Sequence, residues 1–85
     1  MKAIVLVGHR HHCPIHGDGE VITGSSSTLS NGRPIARVGD LISCGAVIET
    51  GSPHHLDEGR PIARVGDSTS HGGTLEEGDS GWKID

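Results

Sequence analysis

The sequence predicts an all-β domain, built from three similar lobes of short strands that pack around a common pseudo-threefold axis. Nine identical residues, Gly-Arg-Pro-Ile-Ala-Arg-Val-Gly-Asp, occur at 32–40 and again at 59–67, so the chain contains a repeat of 27 residues. No stretch keeps its apolar residues at helical spacing, because Gly or Pro interrupts the chain too often. Repeats that cannot each bury an apolar face must pack against one another.

The repeat extends beyond this identical core and has a third, weaker copy at the N-terminus. Residues 3–9 align with residues 34–40, so that Cys13 aligns with Cys44, which in turn aligns with His71. The N-terminal copy has four extra residues after Cys13. The chain is therefore expected to form one domain over residues 1–85, with nothing added to the repeats, and with units at about 3–31, 34–58 and 61–85.

The first copy is expected to contain two short extended segments. The β-forming run at residues 3–7 predicts a strand that ends at Gly8. The segment at residues 9–19 contains Pro14 and two glycines, so we predict a loop there. Extended structure is expected to resume at residues 21–23. The first lobe thus has its strands on either side of a loop that is rich in His and Cys.

The second and third copies begin with a turn and continue as a strand. Residues 31–32 (Asn-Gly) lie between strand-like runs, and both residue types tolerate the positive φ that a tight hairpin turn requires. Residues 34–38 alternate with a period of two, which is typical of a half-buried strand, and residues 47–48 predict another strand. In the third copy, residues 58–59 (Glu-Gly) take the place of the Asn-Gly pair.

The composition argues against several functional classes. The net charge is −4, whereas nucleic-acid binding depends on clustered Lys and Arg. The apolar run at residues 3–7 is too short for the core of a signal peptide or for a membrane span, so we expect synthesis in the cytosol without a cleavable export signal. Only 32% of the residues are apolar, and so small a core usually needs a staple. Trp82, the single aromatic residue, is expected either to cover the edge of the core or to contact a partner.

The two Cys and seven His residues could bind a metal ion, which would cross-link and stabilise so small a domain. Zinc prefers four nitrogen or sulfur ligands in a tetrahedron, and the Cys13-Pro14-Ile15-His16 spacing lets one segment supply two of them. Pseudo-threefold packing would bring Cys13, Cys44 and His71 to equivalent places around the axis. The sequence therefore predicts one structural zinc ion, whose binding free energy would be folding free energy. Its expected ligands are Cys13, His16, Cys44 and His71.

Other roles for these residues are also open. Cys13 and Cys44 could form a disulfide, although a reducing cytosol disfavours one, or each could be a small buried apolar residue. His9, His11 or His12 could replace one of the four proposed ligands, since zinc also accepts three His and one Cys.

A catalytic role is not expected. Cys13 could act as a nucleophile with a nearby His as its base. However, the chain is too small and too rich in Gly to enclose a pocket of the usual ligand volume, and Cys13 occupies the same repeat position as Cys44. The protein is therefore predicted not to be an enzyme. The arginines of the repeat are expected to pair with Asp40, Asp67 or backbone carbonyl groups.

These motifs resemble those of the PAAR-repeat proteins, which are named for a Pro-Ala-Ala-Arg motif. The resemblance covers essentially the whole chain, and it is carried by PIAR at 34–37 and 61–64, SCG at 43–45, SHGG at 70–73, CPIHG at 13–17 and the Asn-Gly turn at 31–32. The N-terminal copy departs from the pattern, because AIVL at 3–6 replaces the motif and His9 replaces Asp40 and Asp67.

The resemblance implies a conical domain that caps the trimeric VgrG spike of a bacterial type VI secretion system. Such a tip would sharpen the spike for membrane puncture and effector delivery, and it would hold a zinc ion near its apex. Larger members of the family carry toxin domains, whereas the repeats fill this chain, so any effector is expected on a separate polypeptide or on the VgrG. The protein would be a monomer on its own and would leave the bacterial cytoplasm through the type VI system. The alternative is a small zinc carrier or sensor with an exchangeable site.

Overall fold

The computed structural model describes all residues from 1 to 85, and its regular elements are all β-strands. The strands are β1 (Lys2–Ile4), β2 (Arg10–Cys13), β3 (Gly17–Glu20), β4 (Leu29–Ser30), β5 (Arg33–Pro34), β6 (Leu56–Asp57), β7 (Arg60–Pro61), β8 (Thr74–Leu75) and β9 (Asp79–Ile84). They form four small sheets with antiparallel pairing: β1 with β9, β2 between β3 and β8, β4 with β5, and β6 with β7. The predicted all-β fold is confirmed.

Three residues at equivalent repeat positions form a closed ring of backbone hydrogen bonds. The N–H of Ala36 donates to the carbonyl of Val5 at 2.8 Å, and the N–H of Ala63 donates to the carbonyl of Ala36 at 2.9 Å. The N–H of Val5 closes the ring by donating to the carbonyl of Ala63 at 3.1 Å. This central ring marks the pseudo-threefold axis, so the predicted packing of three repeats around a common axis is confirmed.

The side chains on the two sides of the central ring form two separate cores. Successive residues of an extended chain point to opposite faces, so Val5 faces one side while Ile4 and Leu6 face the other. The lower core contains Ile4, Leu6, Ile35, Ile62 and Ile84. The upper core contains Val5, Val21, Ala36, Ile42, Ala46, Ile48, Ala63 and Leu75. Trp82 is half-buried and packs against the lower core, so it covers a core edge, which is one of its two expected roles.

Two of the three lobes carry the predicted hairpin turn. Asn31 and Gly32 have φ values of 52° and 79°, and Glu58 and Gly59 have 52° and 80°, which is the left-handed conformation that a tight hairpin requires. In the remaining lobe the pairing of β1 with β9 takes the place of this hairpin. Met1 and Asp85 therefore lie where the other lobes have their turn residues.

The prediction of a loop at residues 9–19 is wrong, because this segment forms the hairpin of β2 and β3. Its two glycines have different roles: Gly17 has a positive φ of 79° in the turn, whereas a Cβ atom on Gly19 would lie 2.8 Å from the hydroxyl oxygen of Ser43. His11 and Cys13 are buried on the inner face of β2, whereas His12 between them is exposed. That alternation was a strand signal, which Pro14 and the glycines obscured.

The other predicted strands are present only in part. Of residues 34–38, only Pro34 belongs to a regular strand, and residues 47–48 make isolated bridges to two different segments. The run at residues 3–7 shortens in the same way to β1. In each case the chain changes its pairing partner after one or two residues, because it crosses from one lobe to the next around the axis. No partner is kept long enough to extend a regular ladder.

Candidate metal centre

The four predicted ligands come together at one end of the molecule. Cys13, Cys44 and His71 occupy equivalent repeat positions, and His16 lies in the turn between β2 and β3. The sulfur atoms of the two cysteines and one ring nitrogen of each histidine all lie within 4.8 Å of one another. Residues separated by up to 58 positions in the chain therefore share one small volume.

Cys44 and His71 each lie on the same kind of local turn. Beneath Cys44, the N–H of Gly45 donates to the carbonyl of Ile42 at 2.9 Å, and beneath His71, the N–H of Gly72 donates to the carbonyl of Thr69 at 3.0 Å. Both glycines have positive φ, 92° for Gly45 and 77° for Gly72, so each turn needs a residue without a Cβ atom. In the first lobe, the extra residues lengthen this turn into a hairpin that adds His16.

The distances between the donor atoms suit a tetrahedral ion. The Sγ atom of Cys13 lies 3.5 Å from Nδ1 of His16 and 3.6 Å from Nδ1 of His71, and Sγ of Cys44 lies 3.8 Å from Nδ1 of His71. A tetrahedral zinc ion with ordinary Zn–S and Zn–N bonds separates its sulfur and nitrogen ligands by about 3.5 Å. The donor set, two sulfur and two nitrogen atoms, is also one that zinc prefers.

The electrostatic environment favours the thiolate of Cys13. Burial by itself raises the pKa of this thiol, but the backbone N–H groups of His16 and Ile15 and the ring nitrogens of His71 and His16 lower it more. The net effect is a pKa of about 6, compared with an ordinary value of 9.0. The thiolate is the form that binds metal ions, so at neutral pH Cys13 is ready to act as a ligand.

The four side chains of the cluster differ in their exposure to solvent. Cys13 is fully buried, Cys44 and His71 are half-buried, and His16 is exposed. Both cysteines are free thiols, so the structure does not have the disulfide that the sequence left open. The upper core packs against Cys44 from below. The cluster therefore combines a buried sulfur atom with an imidazole at the protein surface.

His9 performs the role that an aspartate performs in the other two lobes. Its Nδ1 atom accepts a hydrogen bond from the N–H of Leu6 at 3.0 Å, as the carboxylate of Asp40 does from the N–H of Arg37 at 2.8 Å. Its Nε2 atom lies 3.0 Å from a guanidinium nitrogen of Arg33. His9 therefore lies outside the four-residue cluster. The alignment of His9 with Asp40 was the sequence signal for this role.

His11 and His12 also lie outside the four-residue cluster. His11 is fully buried, and its Nε2 atom is 2.8 Å from the hydroxyl of Thr69, which occupies the equivalent position in the third lobe. His12 is exposed, with Nδ1 3.4 Å from the carboxylate of Asp18. Of the seven histidines, only His16 and His71 share the space of the two cysteines.

The repeated arginines form the contacts that the sequence predicts. Arg37 and Arg64 pair with the aspartates three residues later, at 3.2 Å from Asp40 and 2.9 Å from Asp67. Arg33 and Arg60 donate to the backbone carbonyls of Val7 and Val38. The sequence did not predict that Arg37 is almost fully buried and also binds the carboxylates of Asp57 and Glu58.

The rest of the surface offers one open groove of about 400 Å³, which has no apolar residue in its lining. It lies beside the β2–β3 hairpin and is bordered by Gly8, Arg10, Asp18, Gly19, Glu20 and Ser43. No helix of sufficient length and apolar character to traverse a membrane occurs in the structure.

Comparison with known proteins identifies the family. The family model for the PAAR motif matches residues 1–50 and 47–77, which together span most of the chain. A search of the curated proteins finds no match. The family match agrees with the three-lobed all-β fold and with the convergence of Cys and His side chains at one end. The chain therefore belongs to the PAAR motif family.

Proposed function

We propose that the protein is the structural tip of a type VI secretion spike, where it caps the VgrG trimer and sharpens it for membrane puncture and effector delivery. The observation that carries the proposal is the combination of a closed three-lobed ring with a Cys and His cluster at one end of the axis. Family membership supports an association with this secretion system. No catalytic step is required for this function.

The shape of the fold supports docking onto a trimer. A true threefold axis can be continued by a molecule whose three lobes are similar but unequal. The hairpins that border the lower core expose Leu29 and Leu56, at 59% and 63% of their surface, and these leucines occupy equivalent repeat positions. The third equivalent position is Lys83 in β9. We define these three positions as the base and propose that they face the VgrG trimer.

The cluster at the other end would hold one zinc ion. Cys13 and Cys44 would bind as thiolates and His16 and His71 through Nδ1, and the bound ion would supply a cross-link between the three lobes. Because the chain has a small core, such a cross-link would contribute directly to folding. The tip would then be fixed at its apex by the metal ion, at its centre by the central ring and at its base by the spike.

A zinc carrier or sensor is the second candidate, and the exposure of His16 favours it. In that case the ion would exchange without loss of the fold. Native mass spectrometry and circular dichroism, before and after treatment with a strong chelator, separate the two candidates. One zinc ion per chain and unfolding upon its removal would support the structural tip, whereas reversible loss from a folded chain would support the carrier.

Docking can be tested with purified VgrG trimer from the same bacterium. We expect capture of one protein chain per trimer, and we expect the variant Leu29→Asp/Leu56→Asp to lose this binding. The control is Ile15→Asp, which places one such negative charge on an aliphatic residue that is 67% exposed but lies away from the base, between two members of the metal cluster. Equal binding by the base variant and the wild type would contradict the proposed docking surface.

A further inference from the structure

One flank of the molecule carries a row of apolar side chains across three neighbouring segments. The N–H of Ile22 donates to the carbonyl of Leu41 at 2.9 Å, and Leu41 pairs with Val47 in an antiparallel bridge. Ile22 is 49% exposed, Leu41 is 42% exposed, and Val47 is half-buried. We call Ile22, Leu41 and Val47 the flank row. It belongs neither to the base nor to the metal cluster.

The other two lobes provide an internal comparison for the flank row. Repeat-equivalent residues form a second and a third row on the other two flanks. The backbone hydrogen bond between Ile22 and Leu41 has its equivalents between Glu49 and Ser68, at 2.9 Å, and between Glu76 and Arg10, at 3.1 Å. The second row therefore reads Glu49, Ser68 and Thr74, and the third reads Glu76, Arg10 and Glu20. Since the same backbone carries polar residues at both of these places, the fold does not require the apolar side chains of the flank row.

Unpaired carboxylates lie at both ends of the flank row. Glu20 precedes Ile22 by two residues on the same outer face, and Glu49 follows Val47 by two residues in the same way. Neither Glu20 nor Glu49 forms an ion pair within the chain, whereas Glu76 of the third row pairs with Arg10 at 3.7 Å. The flank row is thus an apolar strip between two carboxylates that form no ion pair, of which Glu20 lies opposite Arg10 and Glu49 has no basic partner.

We propose that the flank row is a docking surface for a separate protein that presents an aliphatic or aromatic side chain between Lys or Arg residues, and that this partner binds once per chain. Basic residues beside the apolar contact would match the charges of Glu20 and Glu49. A threefold-symmetric partner on the axis would need all three rows to be alike, and only one is apolar. The proposal is therefore independent of docking at the base and of the metal ion.

A second copy of this chain fits the flank row less well. Stable interfaces bury about 800 Å² on each partner, which would be about a fifth of the 4164 Å² surface of this molecule. A two-fold contact through the flank row would also bring the carboxylates of one copy close to those of the other, since such interfaces pair the same patch with itself. A basic partner avoids this repulsion.

The test uses two synthetic peptides of about twelve residues, one with a pair of leucines between lysines and one with glutamates in place of the lysines. Binding is followed by methyl NMR of the zinc-loaded protein, in which Ile22, Leu41 and Val47 each report directly. We expect shifts confined to the flank row with the lysine peptide, binding at least ~10-fold weaker for the glutamate peptide, and weaker binding at high salt.

The test variant Ile22→Glu/Leu41→Ser/Val47→Thr gives the flank row the residues of the second row, which the same backbone already carries. We expect it to remain folded and to lose peptide binding, whereas Leu56→Ser, which removes an exposed leucine elsewhere, should bind as the wild type does. Shifts outside the flank row, equal affinity for both peptides, or retained binding by the test variant would overturn the proposal. Sedimentation that shows self-association of the wild type but not of the test variant would assign the surface to a second copy instead.

Discussion

The ring nitrogen Nδ1 of His9 accepts a hydrogen bond from the backbone N–H of Leu6 at 3.0 Å. In the other lobes, aspartate carboxylates accept the equivalent bond from Arg37 and Arg64. An imidazole can accept at Nδ1 only while that nitrogen carries no proton. One lobe of the molecule is therefore closed by a histidine, which loses this hydrogen bond when Nδ1 is protonated, and the other two are closed by aspartates.

His9 should make stability sensitive to mildly acidic pH. Burial, and then the charge of Arg33, lower its pKa below 6.5, against a smaller opposing effect of Glu77 and Asp79. The unfolded chain therefore takes up this proton first, so the contribution of His9 is present above about pH 6.5 and is lost as the pH falls through the lower folded-state pKa. In His9→Asp the loss should begin only at the pH at which carboxylates titrate. Urea denaturation of both zinc-loaded proteins between pH 5 and 8 measures the difference, and identical pH profiles would contradict it.

Removal of Arg37 should be strongly destabilising. Its guanidinium group is buried among the carboxylates of Asp40, Asp57 and Glu58. Arg37→Leu would leave Asp57 and Glu58 without their ion-pair partner and Asp40 with only the more distant Arg60, for which we expect a loss of about 3–5 kcal/mol in the free energy of unfolding. Arg60→Leu is the control: this arginine is exposed and lies at a longer 3.6 Å from Asp40, so its loss should cost less than about 1 kcal/mol. Similar denaturation midpoints for the two variants would show that the ion pairs of Arg37 do not make a large contribution to stability.

Loss of two proposed zinc ligands should unfold or loosen the protein. We expect Cys44→Ala/His71→Ala to lower the melting temperature by more than about 10 °C. A structural metal site contributes several kcal/mol to the free energy of folding, and each kcal/mol shifts the melting temperature of a domain of this size by about 4–8 °C. His54→Ala removes an exposed histidine that belongs to no group of possible metal ligands and should change neither the melting temperature nor the zinc content. Calorimetry with parallel zinc analysis measures both effects. An unchanged melting temperature in the double variant would refute the structural role.

A circular permutant that joins residue 85 to residue 1 and opens the hairpin turn of another lobe should still fold. Met1 and Asp85 occupy the positions of Gly32 and Asn31, so a direct peptide bond between them would form a loop of the same length. We expect a circular permutant that joins these ends, carries Met1→Gly and opens between Asn31 and Gly32 to fold and to bind zinc like the original chain. Its circular dichroism spectrum and metal content provide the measurement. A permutant that remains unfolded with zinc present would show that the lobes are less equivalent than the central ring indicates.

Much of the architecture was predictable because identical residues repeat identical interactions. The Asn31-Gly32 turn required positive φ, and the alignment of Cys13, Cys44 and His71 placed them around one axis before any distance was known. The β2–β3 hairpin was missed because glycines that permit close packing look the same in a sequence as glycines that permit irregular turns. Gly19 is of the first kind.

The flank row and the burial of Arg37 could not be predicted for a different reason. Ile22, Leu41 and Val47 become neighbours only through the register of segments from two lobes, and local periodicity contains no information about that register. Arg37 is buried by Asp57 and Glu58, which belong to the following hairpin. Contacts between lobes depend on how the copies interlock, whereas a repeat alignment describes only what each copy has in common.

The central ring of Val5, Ala36 and Ala63 also determines how the molecule responds to an axial load. Its three hydrogen bonds run from lobe to lobe and close on themselves, so each lobe is bonded to both of its neighbours at this level. An axial push that spreads the lobes apart would therefore strain all three bonds and not one alone. Resistance to compression would thus depend on the central ring as a whole and not on any single lobe.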